Sequence, residues 1–104
     1  MAKSINNSQN IKKRDQNMIE IVAANILFFR SEQGLKQVPF ANLADIEAKQ
    51  LYNYENGLVD LGISSISNLA KALGMLPYEL LIEREEALIY YREEMRKRSE
   101  KKKQ

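Results

Sequence analysis

The sequence predicts an all-α fold of five short helices, with a flexible basic arm before them and a charged helix after them. Apolar residues recur at intervals of three and four, as on one face of a helix, and no segment alternates with the period of a strand. Glycines follow the apolar runs, which is the preferred position for ending a helix. A chain of 104 residues has room for one hydrophobic core, so we expect one folded domain with tails.

The composition argues against several classes of function. The chain has no cysteine and no histidine, which removes thiolate nucleophiles, the commonest general base and most zinc ligands. We therefore expect no enzyme, no metal and no other cofactor. The longest apolar stretch, residues 21–29, is too short to span a membrane, and no signal peptide is evident. We expect a cytoplasmic protein without a membrane partner.

The net charge of +2 is unevenly distributed along the chain. Residues 1–16 have four basic side chains and one acidic, and they are too polar to order themselves, so they are expected to form the flexible arm. Residues 17–82, the expected domain, have four basic and seven acidic side chains, whereas residues 83–104 have eight basic and six acidic. Affinity for nucleic acid would therefore depend on local placement of charge or on the basic ends.

Apolar spacing and terminating residues together predict the helices, which are residues 18–32, 37–44, 47–56, 63–73 and a short one opening at Pro77. Asp45 separates the second helix from the third, because Asp tolerates turn and left-handed conformations better than most residues. Leu80 and Leu81 are expected to be buried in the fifth helix.

Two apolar surfaces have no partner in this scheme. The outer side of the first helix has Ile21, Leu27 and Phe28, which is more apolar area than one buried face requires. The charged helix has a narrow apolar seam, formed by Leu81, Leu88, Tyr91 and Met95. We expect the two surfaces to pack together, either within one chain or between two.

Two short helices joined by a tight turn, with the small residue Ala41 at their crossing, are the parts of a helix-turn-helix. The stretch KQVPFANLADIEAKQLYNYENG, residues 36–57, resembles without a gap the signature of the lambda-repressor-like family of phage repressors, Cro proteins and XRE-type regulators. LAKALG at 69–74 and ELL at 79–81 resemble the last two helices of that family. The resemblance covers about residues 18–81.

This resemblance implies a five-helix lambda-repressor-like DNA-binding domain. The function it implies is sequence-specific transcription regulation, by repression or activation, as a homodimer on double-stranded DNA, associated with the nucleoid when bound. The alternative is a protein-interaction module of the same fold, either an antitoxin-like subunit or an adaptor that binds another regulator. The acidic domain and Glu47 in the third helix favour that alternative.

In this family the third helix is the recognition helix, whose exposed face enters the major groove. The base contacts carried over by position are Ala48, Lys49, Gln50 and Asn53. Lys49 suits guanine, the two amides suit adenine, and Ala48 can touch a thymine methyl. The alternative for all four is a solvated helix face without a binding role.

Contacts to the DNA backbone are expected near the ends of the two helices, from Lys36, Gln37, Tyr52 and Asn56. The positive end of the second helix favours a phosphate at Gln37, although Gln37 could be an ordinary first-turn residue. Glu47 would repel a phosphate there, accept a hydrogen bond from cytosine, or simply serve the positive end of its own helix.

Three residues depart from the family pattern. Lys36 stands where a Ser-like N-cap is usual, Asp45 where the turn usually has Gly, and Glu47 where Ser or Thr is usual. A lost cap weakens a helix end by about 1 kcal/mol without changing the topology.

The resemblance also implies two structural contacts. Arg30 and Glu55 match positions that form an ion pair between the first helix and the end of the recognition helix, the alternative being two unrelated surface residues. The loop after Gly57 contains an apolar cluster that lies near the family's two-fold axis, consisting of Leu58, Val59 and Leu61. We expect this cluster at the dimer interface, because exposed apolar patches commonly mark interfaces.

Overall fold

The computed structural model describes residues 14–103, and every regular element in that range is helical, as the sequence predicts. The elements are α1 (Gln16–Glu32), α2 (Gln37–Leu43), α3 (Ala48–Glu55), α4 (Ile63–Leu73), a 3₁₀ turn (Pro77–Leu81) and α5 (Glu85–Lys103). Most of the predicted basic arm, including Lys12 and Lys13, lies outside the described residues.

Capping residues mark where several helices begin and end. The Asp15 carboxylate accepts the Met18 N–H at 3.1 Å and caps α1. The helices α1, α3 and α4 end at left-handed glycines, namely Gly34, Gly57 and Gly74 with φ of 68°, 67° and 72°. Glycine takes this conformation at little cost because it has no Cβ.

The predicted fifth helix is instead a single 3₁₀ turn, and this corrects one expected burial. Leu80 is fully buried, but Leu81 is 44% exposed. Successive residues of a 3₁₀ helix are about 120° apart, so only one of two neighbours can face the core. The Asn25 side-chain amide donates to the carbonyls of Leu80 at 2.9 Å and Ile82 at 2.8 Å, which attaches this turn to α1.

The main core lies between α1, α2, α3, α4 and the 3₁₀ turn. Its fully buried large apolar side chains are Ile26, Phe40, Leu51, Leu69 and Leu80. Since α2 and α3 contribute Phe40 and Leu51, burying these two residues fixes both helices of the helix-turn-helix against the rest of the domain.

α5 packs against the outer side of α1 in the same chain, so the two unpartnered apolar surfaces meet, although Ile21 and Leu81 are not part of the contact because Leu81 lies in the 3₁₀ turn before α5. Their contact is a second core, in which Ala23, Ala24 and Leu27 of α1 meet Ala87, Leu88 and Tyr91 of α5. Phe28 and Met95 pack at its edge. The alanines of α1 allow the helices to approach closely, and α1 is therefore buried on two sides.

Candidate nucleic-acid interface

The turn between α2 and α3 is closed by two backbone hydrogen bonds. The Ile46 N–H donates to the Ala41 carbonyl at 3.0 Å, and the Asp45 N–H to the Asn42 carbonyl at 3.1 Å. This pair of bonds is the Schellman arrangement, which needs a left-handed residue after the helix. Asp45 supplies it with a φ of 59°, where the other helix ends use glycine. The sequence-based interpretation of Asp45 as a left-handed helix breaker is thus confirmed.

The helix α3 has a buried side and an outer side. Leu51, Tyr54 and Glu55 are buried against the domain. Lys49 and Gln50 are exposed. This division leaves a polar face on α3 directed away from the core, as a recognition helix requires.

The four predicted base-contact residues differ in their exposure. Lys49 and Gln50 are exposed on the outer face, and Asn53, one turn further along, is half-buried. Ala48 is also half-buried and packs against the main core. The outer face therefore offers one cation and two amides to a ligand.

Gln50 is held by a short chain of hydrogen bonds. Its Nε2 donates to the Tyr54 hydroxyl at 2.8 Å, and that hydroxyl lies 3.1 Å from the Ser65 hydroxyl of α4. The Gln50 Oε1 and its second amide hydrogen make no hydrogen bond within residues 14–103. One acceptor and one donor are what an amide uses on the adenine edge, so the anchored side chain keeps both.

Arg30 and Glu55 form a two-bond ion pair between α1 and α3. The Arg30 Nε lies 2.5 Å from Glu55 Oε2, and its Nη2 lies 2.9 Å from Oε1. The Glu55 side chain is completely buried and that of Arg30 is 14% exposed. Arg30 Nη1 also donates to the Leu35 carbonyl at 2.9 Å. The pair thereby joins α1 to the end of α3.

Two of the predicted backbone-contact side chains are engaged within the protein. The Gln37 amide donates to Glu55 at 3.3 Å, so it extends the buried ion pair. The Asn56 amide nitrogen donates to the Tyr52 carbonyl at 2.7 Å, while its Oδ1 accepts from Arg98 Nη1 at 2.6 Å. Lys36 is exposed and Tyr52 is 40% exposed, so these two face solvent.

The start of α3 is acidic. Asp45 and Glu47 are exposed and line a shallow depression beside Gln50. Neither Lys36 nor Glu47 caps its helix through its side chain, so the first N–H groups of α2 and α3 have no side-chain cap from these residues. The carboxylates therefore oppose, and the free helix ends favour, an anion in the same region.

Two arginines that sequence reasoning did not assign to α3 make contacts at or just after its carboxyl end. Arg98 of α5 lies over the Tyr52 ring, 5.7 Å from its centre, and bonds Asn56. Arg14 donates to the Leu58 carbonyl at 3.2 Å. The available signal was the helical period, because Arg98 follows Tyr91 by seven residues and so shares the face of the apolar seam.

The expected dimer cluster is only partly a surface. Val59 and Leu61 are half-buried and pack against the main core, whereas Leu58 is 54% exposed. The expectation of three exposed apolar side chains was wrong, because the segment after α3 folds back onto the domain. Ile63, at the start of α4, is 86% exposed and adds a second apolar side chain nearby in the chain.

Residues 14–103 contain no helix that is both long and apolar enough to cross a membrane. In the same range, no three acidic side chains cluster in a way that could hold a metal ion. The fold and the site together define an all-helical protein with a helix-turn-helix at α2 and α3.

Two solved structures resemble this chain in fold. The hypothetical transcription factor NHTF from Neisseria has a TM-score of 0.64 and 25% identity, over 77% of this chain and 93% of that one. The clp gene regulator ClgR from Corynebacterium glutamicum has a TM-score of 0.61 and 19% identity, over 82% of this chain and 87% of that one, a likeness of fold. No protein-family model matches the chain. No curated protein matches it either.

Proposed function

We propose that this protein is a transcription regulator that binds double-stranded DNA through α3. The observation that carries the proposal is the polar outer face of α3, presented after a closed helix-turn-helix turn. The similarity in fold to a hypothetical transcription factor and a gene regulator, at 25% and 19% sequence identity, supports the proposal. Membership of the lambda-repressor-like family is part of the proposal and rests on the resemblance of residues 36–57.

Sequence would be read in the major groove by three side chains. Lys49 donates to guanine N7 and O6, and Gln50 and Asn53 pair with adenine N6 and N7. Gln50 is the best prepared of these, because Tyr54 holds it and less side-chain freedom is lost on binding. Lys36 and Tyr52, both exposed, would contact phosphates on either side.

We further propose a homodimer, with two recognition helices in successive major-groove turns about 34 Å apart. Leu58 and Ile63 are the exposed apolar side chains that favour an interface beside α3. Apolar area of this kind is stabilised when a second copy removes it from water.

The alternative function is a protein-interaction module of the same fold. It is favoured by the exposed carboxylates of Asp45 and Glu47 beside Gln50, which would repel phosphate. Such a module would bind a basic surface of another protein and would have no preference among DNA sequences.

Selection of bound duplexes from a random pool tests the proposal. The protein is expected to enrich one sequence, and Lys49→Ala should then lose preference at one base pair, at a cost of about 1–3 kcal/mol. Lys71→Ala is the matched control, since Lys71 is also an exposed lysine but lies on α4. Enrichment of no sequence, or equal losses in the two variants, would favour the interaction module.

A further inference from the structure

We infer that Arg98, carried by the carboxyl-terminal helix α5, binds a DNA phosphate beside the recognition helix, and that Asn56 holds Arg98 in position. This inference rests on the proposed function. It adds to that function a phosphate-binding residue that lies outside the helix-turn-helix and outside the stretch resembling a known family.

The position of Arg98 is set by contacts on two sides. Tyr91, two turns earlier on α5, is buried against α1, and its hydroxyl donates to the Asn56 carbonyl at 3.3 Å. Arg98 then reaches the Asn56 side chain at 2.6 Å and the Tyr52 ring. Because Tyr52 is 40% exposed and precedes Asn53, the guanidinium lies at the rim of the recognition surface.

The guanidinium has hydrogen-bonding capacity to spare. It forms no ion pair with any carboxylate of residues 14–103, and its one hydrogen bond in that range is to Asn56. Arginine has five N–H donors in a planar fork that matches two phosphate oxygens. The cation–π contact with Tyr52 reduces its side-chain freedom before any phosphate binds.

The Asn56 side chain is already hydrogen-bonded within the protein, so it is not free for the DNA-backbone contact expected of it. Arg98 is the neighbouring side chain that could make that contact. Its amide nitrogen is directed to the Tyr52 carbonyl at 2.7 Å and its oxygen to Arg98. The segment after α3 offers Asp60 rather than a base. Arg98 therefore supplies the cation at the carboxyl end of α3 that its own loop lacks.

Two neighbouring cations of α5, Arg96 and Lys97, are instead paired with carboxylates of their own helix. Arg96 is bound by both Glu93 and Glu100, and Lys97 lies 3.5 Å from Glu94. On a helix, Arg96 is displaced by about 160° from Arg98, toward the opposite side. It serves as the control for loss of one positive charge from the same helix.

The test compares full-length wild type with Arg98→Gln, Arg98→Lys and Arg96→Gln on the selected duplex and on an unrelated one. Arg98→Gln should weaken binding to both duplexes alike and reduce the slope of log K against log salt by about 0.9, as expected for one lost phosphate contact. The ratio of the wild-type binding constant to that of Arg98→Gln should then fall roughly three- to fourfold between 50 and 200 mM salt.

Arg98→Lys should keep the wild-type slope because it keeps the charge, and Arg96→Gln should keep it because its guanidinium is already paired. Circular dichroism and thermal unfolding of each variant check that α5 stays packed. If wild type selects a sequence but Arg98→Gln leaves the slope unchanged, or Arg98→Lys lowers it equally, this inference is overturned and the proposed function stands. If wild type binds no duplex, both are overturned.

Discussion

The carboxylate of Glu55, at the end of α3, is fully buried and receives two hydrogen bonds from the guanidinium of Arg30 on α1. Gln37, in the first turn of α2, adds a third bond to the same carboxylate. Both helices of the helix-turn-helix are therefore tied to α1 through one acidic side chain. A buried charge of this kind is tolerated only while its partners remain.

Replacing Arg30 with Leu should lower the free energy of unfolding by about 3–5 kcal/mol, because the Glu55 charge stays buried without its main partner. Urea denaturation measures the loss. The double variant Arg30→Leu with Glu55→Leu removes both charges and should be more stable than Arg30→Leu alone. A double variant whose loss equals the sum of the two single losses would show that the pair contributes no coupling energy.

Replacing Asp45 with Gly should raise the free energy of unfolding by up to about 1 kcal/mol, because Asp45 has a φ of 59° and lies at the negative end of α2. The control is Asp60→Gly, at an exposed residue that does not have a positive φ. There the added freedom of the unfolded chain should lower stability by about 0.4–1 kcal/mol. Equal effects at the two positions would contradict the backbone argument.

Replacing Leu88 with Ala should cost about 2–3 kcal/mol, because Leu88 fills the second core between α1 and α5. Its neighbour Ile89 is 57% exposed, so Ile89→Ala should change stability by less than about 0.5 kcal/mol. Thermal unfolding of both variants separates packing from helix propensity. A small loss for Leu88→Ala would mean that α5 does not rest on α1 in solution.

The ionisation of Tyr91 should make the stability of the protein depend on pH in the alkaline range. Burial first, and the nearby Glu20 carboxylate second, raise the pKa of its hydroxyl above 10.0, with Arg98 opposing them. The neutral hydroxyl therefore contributes stability that is complete below the unfolded pKa and is lost as pH rises through the folded pKa.

The stability advantage of wild type over Tyr91→Phe should accordingly decline above about pH 10. In an alkaline titration followed by phenolate absorbance, wild type and Tyr91→Phe should differ mainly at the highest pH values, where Tyr91 ionises. The control is Tyr78→Phe, at a tyrosine that is 59% exposed. If the two curves already differ at the pH where ordinary tyrosines ionise, the Tyr91 hydroxyl is not buried.

The proposed dimer should weaken when Ile63 is replaced with Lys, because a charge would then replace an 86% exposed apolar side chain beside the expected two-fold axis. Sedimentation at several concentrations measures the monomer fraction. Ile89→Lys makes the same chemical change at an exposed position on α5 and should leave association unchanged. A dimer unaffected by Ile63→Lys and by Leu58→Lys would place the interface elsewhere.

Local sequence determined the helices of this protein. Apolar residues three and four apart, together with Gly34, Gly57 and Gly74, set where α1, α3 and α4 lie and end, because helix hydrogen bonds and caps join residues within a few positions. The same local rule identified Asp45 as the turn residue. The resemblance of residues 36–57 to a known signature, rather than periodicity, assigned Lys49 and Gln50 to the outer face of α3.

Only the tertiary structure decided which surfaces meet. The pattern predicted that α5 meets α1 but left open whether they meet within one chain or between two, and packing places the contact within one chain. The bonds of Arg98 to Asn56 and of Gln37 to Glu55 join residues 42 and 18 positions apart. The packing of Val59 onto the main core is likewise a tertiary contact. Periodicity shows which face of a helix is apolar, but the side chain it meets depends on how whole helices pack, and that arrangement has no local signature.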